Sequence, residues 1–377
     1  MSNTDGNKRI WLAGAALMLV LAGALLLVWS PWQEARDPRG LSLLDCGAVP
    51  DDGQDDYEAI MQCVAEAKET DGQVFIPEGQ FHAGDIIELD GVSLIGAGAD
   101  LSEIVSTNPE RGSIDLAGEN VELRDFKHTY ESTVPRGNGA NDKNNITVRG
   151  ASSFTITGLH IDKSSTAGIL VRDRASGGVI RDNLIENTGA DGIHITSGSN
   201  DIVVEENTVR QAGDDTIAVV SYNQDGAIAH GITIRGNDVG YESRARGISV
   251  VGGEDITIEG NTIQHTDMAG IYISVEEQYD TNNTNRITVH DNIVDSTGLR
   301  ENSDHPNILV YASQGQLDDI TFTNNTIKNA AHSGIGVWGD GQIGDIYFRS
   351  NTVSGSAEAP TAFKNGDIHL EENQGFE

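Results

Sequence analysis

Seven times between Val179 and Val353 the chain repeats one phrase: a β-branched alternation, then Asn, one further residue, and Ile or Val. The copies read VIRDNLI, IVVEENTV, ITIRGNDV, ITIEGNTI, ITVHDNIV, ITFTNNTI and IYFRSNTV. Their asparagines, Asn183, Asn207, Asn237, Asn261, Asn292, Asn325 and Asn351, are spaced 24, 30, 24, 31, 33 and 26 residues apart. A base period near 24 with occasional insertions marks a solenoid whose extra residues loop out from one face. Two short strands per repeat, with no helical periodicity, predict a parallel β-helix. The asparagines then stack on one another through their amides, which is a structural role.

Each repeat carries a second strand: AGILVRD, DGIHITS, DTIAVVS, RGISVVG, AGIYISV, PNILVYA and SGIGVWG. Strand alternation points Ile169, Val171, Ile193, Ile195, Ile217, Val219, Ile248 and Val250 inward. Arg172, His194, Ser249, Tyr272, Tyr311 and Trp338 then face outward. With rungs about 4.8 Å apart, His194, Tyr272, Tyr311 and Trp338 are expected in one line along an exposed sheet. In a chain with only 5% aromatics, such a row suits the apolar faces of sugar rings. Insertions at Ser221–His230, Val275–Arg286 and Asp295–His305 would wall this groove and bring Glu276, Glu277, Asp280, Asp304 and His305 to it.

The ends set the context. Ile10–Trp29 is an uncharged apolar run preceded by Lys8 and Arg9 and flanked by Trp29 and Trp32. Twenty helical residues span roughly 30 Å, one bilayer core. A cleaved signal would have a shorter apolar core and a small-residue cleavage site, which VWSPWQEA lacks. The expected organisation is a cytoplasmic N-terminus (1–9), a transmembrane anchor (10–30), a linker (31–40) and one outward-facing domain (41–377), periplasmic in a bacterium. Cys46 and Cys63 can form one disulfide in such a domain, but the preferred reading is two buried small hydrophobes. With Lys+Arg 24 against Asp+Glu 58, a net charge of −34 excludes a nucleic-acid binder, which needs a basic surface.

Between residues 45 and 81 the chain reads as strand, helix, strand. Asp55 and Glu58 suggest a capping box, and Tyr57, Ile60, Met61, Val64 and Ala67 form an apolar stripe. An amphipathic helix here would cap the open solenoid end. This stretch and the following GVSLIGAGAD resemble the N-terminal segment of pectin-lyase-like right-handed β-helix proteins. The resemblance covers nearly all of Leu41–Val353. The fold expected is therefore all-β: a single right-handed parallel β-helix with an N-terminal capping helix, preceded by one transmembrane helix.

Asp191 and Asp215 stand 24 residues apart at equivalent places on neighbouring repeats, and Asp214 precedes Asp215. Carboxylates so close repel, which raises at least one pKa and can set an acid beside a base. Asp and Gly are also ordinary turn residues, so ADG and GDD alone do not decide the matter. The phrases ADGIHI, AGDDTIAV and ARGISVVG resemble the motif series of polygalacturonase-type (family 28) glycoside hydrolases. The resemblance implies Asp214 as general acid, with Asp191 and Asp215 holding the attacking water, at an inverting separation of about 6.5–9.5 Å. It departs at Arg246, where the family has histidine, and at AGIYISVEEQYD, which lacks the family's later Arg-x-Lys pair. His194 is a candidate proton carrier. Arg172, Tyr272, Glu276, His305, Tyr311 and Trp338 are candidate substrate contacts.

No cofactor is expected. Ca²⁺ is the one ion that clustered carboxylates invite, although no defined calcium loop occurs. The leading expectation is a membrane-anchored glycan hydrolase. The alternatives are a lyase or C5-epimerase on uronates, using Arg172, Arg174 or Arg246 with His194, His305 or a tyrosine, and a non-catalytic glycan-binding or assembly protein. The partners expected are a polysaccharide or oligosaccharide, the membrane through the N-terminal helix, and exopolysaccharide machinery.

Overall fold

The computed structural model describes residues 39–137 and 141–377. The run Ile10–Trp29, and with it the anchor expected there, lies outside the described residues. Among the described residues no helix is long and apolar enough to cross a membrane.

Three parallel sheets form the body: sheet A with 14 strands, and sheets B and C with 11 each, among the described residues. One rung illustrates the unit. Val179–Arg181 lies in sheet A, Leu184–Glu186 in sheet B and Ile193–Ile195 in sheet C. Each pairs in parallel with its equivalent one rung on: Val203–Glu205, Thr208–Arg210 and Ile217–Val220. The rung therefore has three strands, where the sequence suggested two. VIRDNLI is two strands broken at a corner, because Asp182 adopts a left-handed conformation (φ 54°) just before Asn183. The same break recurs at Glu206, Gly236, Gly260, Asp291, Asn324 and Ser350, each immediately before a ladder asparagine.

The asparagines stack as expected. The Asn207 amide donates to Asn237 Oδ1 at 3.0 Å and to the Ile180 carbonyl at 2.9 Å. Its backbone N–H donates to Asn237 Oδ1 at 2.9 Å. The ladder runs from Asn183 through Asn351 and continues to Asn373, one step beyond the repeats read from sequence. The turn thus satisfies buried polar groups that a corner would otherwise orphan.

Inside, the alternation holds: Ile169, Val171, Ile193, Ile195, Ile217, Val219, Ile248 and Val250 are all fully buried. They belong to one core running from Leu41 to Val353.

Helix α1 (Tyr57–Lys68) closes the N-terminal end with Ile60, Cys63, Val64 and Ala67. Tyr57 and Met61 are only half-buried. The capping box does not form. Asp55 instead accepts from the Tyr57 and Gly84 amides, and Asp56 accepts from the Val49 and His82 amides, tying the helix start to the strand Gly79–Ala83 and to the loops at Val49 and Gly84. The cysteines correct a second expectation, since Cys46 and Cys63 are disulfide-bonded. Cys63 sits on the buried helix face with its Cα 5.5 Å from that of Cys46, inside the reach of a disulfide. The bond closes a 17-residue separation, for which chain entropy gives about 3 kcal/mol. The Cys46→Ala/Cys63→Ala double variant is expected to unfold at correspondingly lower urea, and an unchanged midpoint would contradict this.

Candidate active site

Asp191 and Asp215 occupy the turns that lead into successive strands of sheet C. Small residues allow the turns to stack. A Cβ on Gly192 would stand 2.3 Å from Val209 Cγ1 and 2.6 Å from the Thr216 carbonyl oxygen of the next rung. The glycine of "DGI" is thus demanded by rung packing, and the residue before it is free to carry chemistry. That residue is Asp191 on one rung, Asp215 in "DTI" on the next and Arg246 on the third.

The three side chains form one network. Asp191 accepts from His194 Nδ1 at 2.7 Å and from the Asp215 amide at 3.1 Å. Asp215 accepts from the Arg246 amide at 2.8 Å and from the Ser249 hydroxyl at 2.6 Å. The Arg246 guanidinium lies 3.6 Å from the same carboxylate. Asp191 and Asp215 are buried, whereas the Asp214 side chain is 33% exposed and meets Arg136 at 2.6 Å. One oxygen from each of the three aspartates lies within 4.8 Å of the others. These residues are where a metal ion would bind, and it would compete there with Arg136, His194 and Ser249.

Burial pushes the Asp215 carboxyl above the ordinary carboxylate range; Arg246 pulls it back, Asp191 raises it further and the Ser249 hydrogen bond lowers it. The Tyr222 phenol, on the rim, is pushed up to about 12 by burial and by Asp191. A carboxyl with a raised folded pKa keeps a proton that the unfolded chain has released. Stability therefore falls as pH rises from the ordinary carboxylate value through the raised one, then levels. Asp215→Asn is expected to flatten that slope and to raise the denaturation midpoint at neutral pH. A lower midpoint with the slope intact would contradict the assignment.

The aspartates open into a cavity of about 670 Å³. Asp191, Asp214, Asp215, His194, Arg246, Arg172 and Glu276 line it; Tyr272, His305, Tyr311 and Trp338 do not. The expected single aromatic line is two columns. His194 shares one with Ala218, Ser249, Tyr272 and Leu309. Tyr311 and Trp338 lie in the other, in register with Val220, Val251 and Ser274. Nor is the row open: Tyr272 is 3% exposed, covered by Arg246, whose guanidinium carbon is 4.6 Å from the ring centroid, and flanked by His305 and Tyr311. His305 is held down to about 4 by burial and by Arg246. His194, read as exposed, has its ring mostly buried against Asp191.

Two insertions do wall the cavity. Tyr222 and Thr281 form an antiparallel bridge between them, and Asn223 bonds Asp280 through its amide N–H and its side chain. Asp280 is therefore a latch and not a ligand contact. Tyr222, Asp225 and Tyr279 line the cavity beside Arg136, and sequence reasoning missed all four. Arg136 lies 78 residues before Asp214, and no local pattern announces the pair.

Fold and site together define a parallel β-helix with an acidic cavity on one sheet. The chain belongs to the right-handed β-helix family: the description "Right handed beta helix region" matches residues 89–239 and 146–374. Among solved structures it is similar to the Agl-KA catalytic domain, with 23% identity, a TM-score of 0.76, and coverage of 92% of this chain and 67% of that one. It is also similar to the catalytic unit of a GH87 α-1,3-glucanase from Streptomyces thermodiastaticus (21%, TM-score 0.69, coverage 91% and 70%). A third similar structure is the A-module of the Azotobacter vinelandii mannuronan C-5 epimerase AlgE4 (16%, TM-score 0.57, coverage 87% and 99%). At these identities the likeness is one of fold. No curated protein matches by sequence.

Proposed function

We propose that this chain hydrolyses a glycosidic bond in a polysaccharide, with Asp214 as general acid and Asp191 and Asp215 holding the attacking water. The observation that carries the proposal is the convergence of three carboxylates, within 4.8 Å, on one walled cavity. That gap is shorter than the roughly 6.5–9.5 Å expected of an inverting pair, and in the free protein it has the width that one water bridges with two hydrogen bonds of about 2.7 Å each. Asp191 and Asp215 share a buried site, and the raised pKa of Asp215 lets the pair carry less than two charges. Asp214 is the most exposed of the three and faces the incoming sugar. In the free protein its partner is Arg136, at 2.6 Å.

A neutral glycan suits this cavity better than a uronate. Each arginine on its lining is already paired: Arg136 with Asp214, Arg172 with Asp173, and Arg246 with Asp215 and Glu276. Elimination or epimerisation needs a cation to neutralise the uronate carboxylate, and these are spoken for. In structures of a GH87 α-1,3-glucanase with tetrasaccharides or nigerose, the replaced aspartates are 24 positions apart, the interval from Asp191 to Asp215. An α-1,3-linked glucan is therefore the first substrate to try.

The test is product analysis with the full chain on α-1,3-glucan, other neutral glucans and alginate. New reducing ends from a neutral glucan, without the absorbance of unsaturated uronates, are the expected result. Unsaturated products would move the chemistry to elimination. Binding without turnover would make the protein a glycan-binding scaffold. The run Ile10–Trp29 adds a membrane-tethered, outward-facing setting, with an exported or surface polysaccharide as substrate. Degradation of residues 39–377 by protease added outside intact inner-membrane spheroplasts tests that orientation.

A further inference from the structure

The cavity ends abruptly on one side. Its lining comes from the sheet C rungs Ile169–Arg172, Ile193–Ile195, Ile217–Val220 and Ile248–Val251, with Asn144 beyond the first and Glu276 beyond the last. None of its lining residues comes from the next strands on that face, Ile308–Ala312 and Ile335–Trp338, although these carry Tyr311 and Trp338.

A bar of side chains explains the stop. Arg246 precedes the strand Ile248–Val251, and Glu276 follows Ile271–Val275 on the next rung. Their ion pair, at 3.3 Å, therefore crosses the face of the sheet from one edge to the other. Tyr272 lies beneath it and donates its hydroxyl to Glu276 at 2.7 Å. The Glu276 amide is held by Thr281 at 2.8 Å, inside the latched wall. The buried phenol and the partly buried carboxylate and guanidinium brace one another, so displacing one strands the others without partners. Arg246 Nε is shut inside the bar, with no hydrogen-bond partner among the described residues.

We propose that the Arg246–Glu276–Tyr272 bar makes this a chain-end site, deepening the hydrolase reading on which it rests. The bar begins beside Asp215, with the Arg246 guanidinium 3.6 Å from that carboxylate and Asp191 one rung, about 5 Å, further back, so the space between Asp191 and the bar holds one or two sugar units at most. On the other side the cavity continues over His194, Leu170 and Arg172 to Asn144, where the rest of the polymer lies. The terminal sugar stops against Arg246. Water adds across the glycosidic bond: its oxygen bonds the sugar carbon as the C–O bond breaks, its proton passes to the Asp191–Asp215 pair, and the leaving oxygen takes the proton of Asp214. The product is a mono- or disaccharide.

The test uses the full chain on α-1,3-linked glucan oligosaccharides carrying a fluorescent label at the reducing end, with fragment lengths followed from the earliest time. Only one or two units are expected to leave, from one end, and Glu276→Ala is expected to add internal cuts that yield longer fragments. Early internal fragments from the unaltered protein would overturn the chain-end proposal and leave hydrolysis standing. Unchanged end release in folded Glu276→Ala would also overturn it, since the stop would then lie elsewhere. Should Glu276→Ala fail to fold, the fragment pattern of the unaltered protein decides alone. No cleavage by the unaltered protein would overturn the hydrolase reading and this proposal with it.

Discussion

Asp214→Asn is expected to lower glycan cleavage by about 10²–10⁴-fold, the usual worth of a positioned general acid, while leaving the fold intact. The side chain is 33% exposed and its contact is an ion pair with Arg136, a surface interaction of small value. The amide keeps the size of the carboxyl but cannot deliver the proton. Reducing-end assays and thermal unfolding of the same preparation check both halves. Activity within a few-fold of the parent would remove Asp214 from the chemistry and leave "GDD" as turn residues.

Asn237→Val is expected to cost about 4 kcal/mol of stability, from several orphaned buried groups. Asn237 Oδ1 accepts from the Asn207 amide N–H and side chain, and its own Nδ2 donates to Asn261 Oδ1 and to the Val204 carbonyl. Valine restores none of these. Thr326→Ala, at an exposed strand position just past the ladder asparagine Asn325, serves as control. Urea unfolding followed by circular dichroism gives the comparison. A loss below about 1 kcal/mol would mean that the ladder satisfies its neighbours through water instead.

The rungs were legible because Asn recurs at a fixed place and the hydrophobic alternation restarts after it. The corner was not legible. β-branched residues continue across Asp182 and Asn183, and only the left-handed φ of Asp182 separates two strands. Register misled the aromatic reading. Tyr272 is the second residue of its strand and Tyr311 the fourth, so aligning each strand on its first Ile would have separated the columns. Cys63 fits the helical stripe of Ile60, Val64 and Ala67, which was the available sign that it faces inward. The acidic trio was visible as a motif. Arg136, supplied from a distant segment, and the Arg246–Glu276 bar depend on tertiary packing alone.

The most direct measurement is mass spectrometry of the products formed from a size-defined α-1,3-linked glucan oligosaccharide by the full chain. The account predicts fragments whose masses sum to the substrate plus one water, formed about 10²–10⁴-fold more slowly with Asp214→Asn. Intact substrate, or the same fragments from Asp214→Asn at the parent's rate, would contradict hydrolysis by these aspartates.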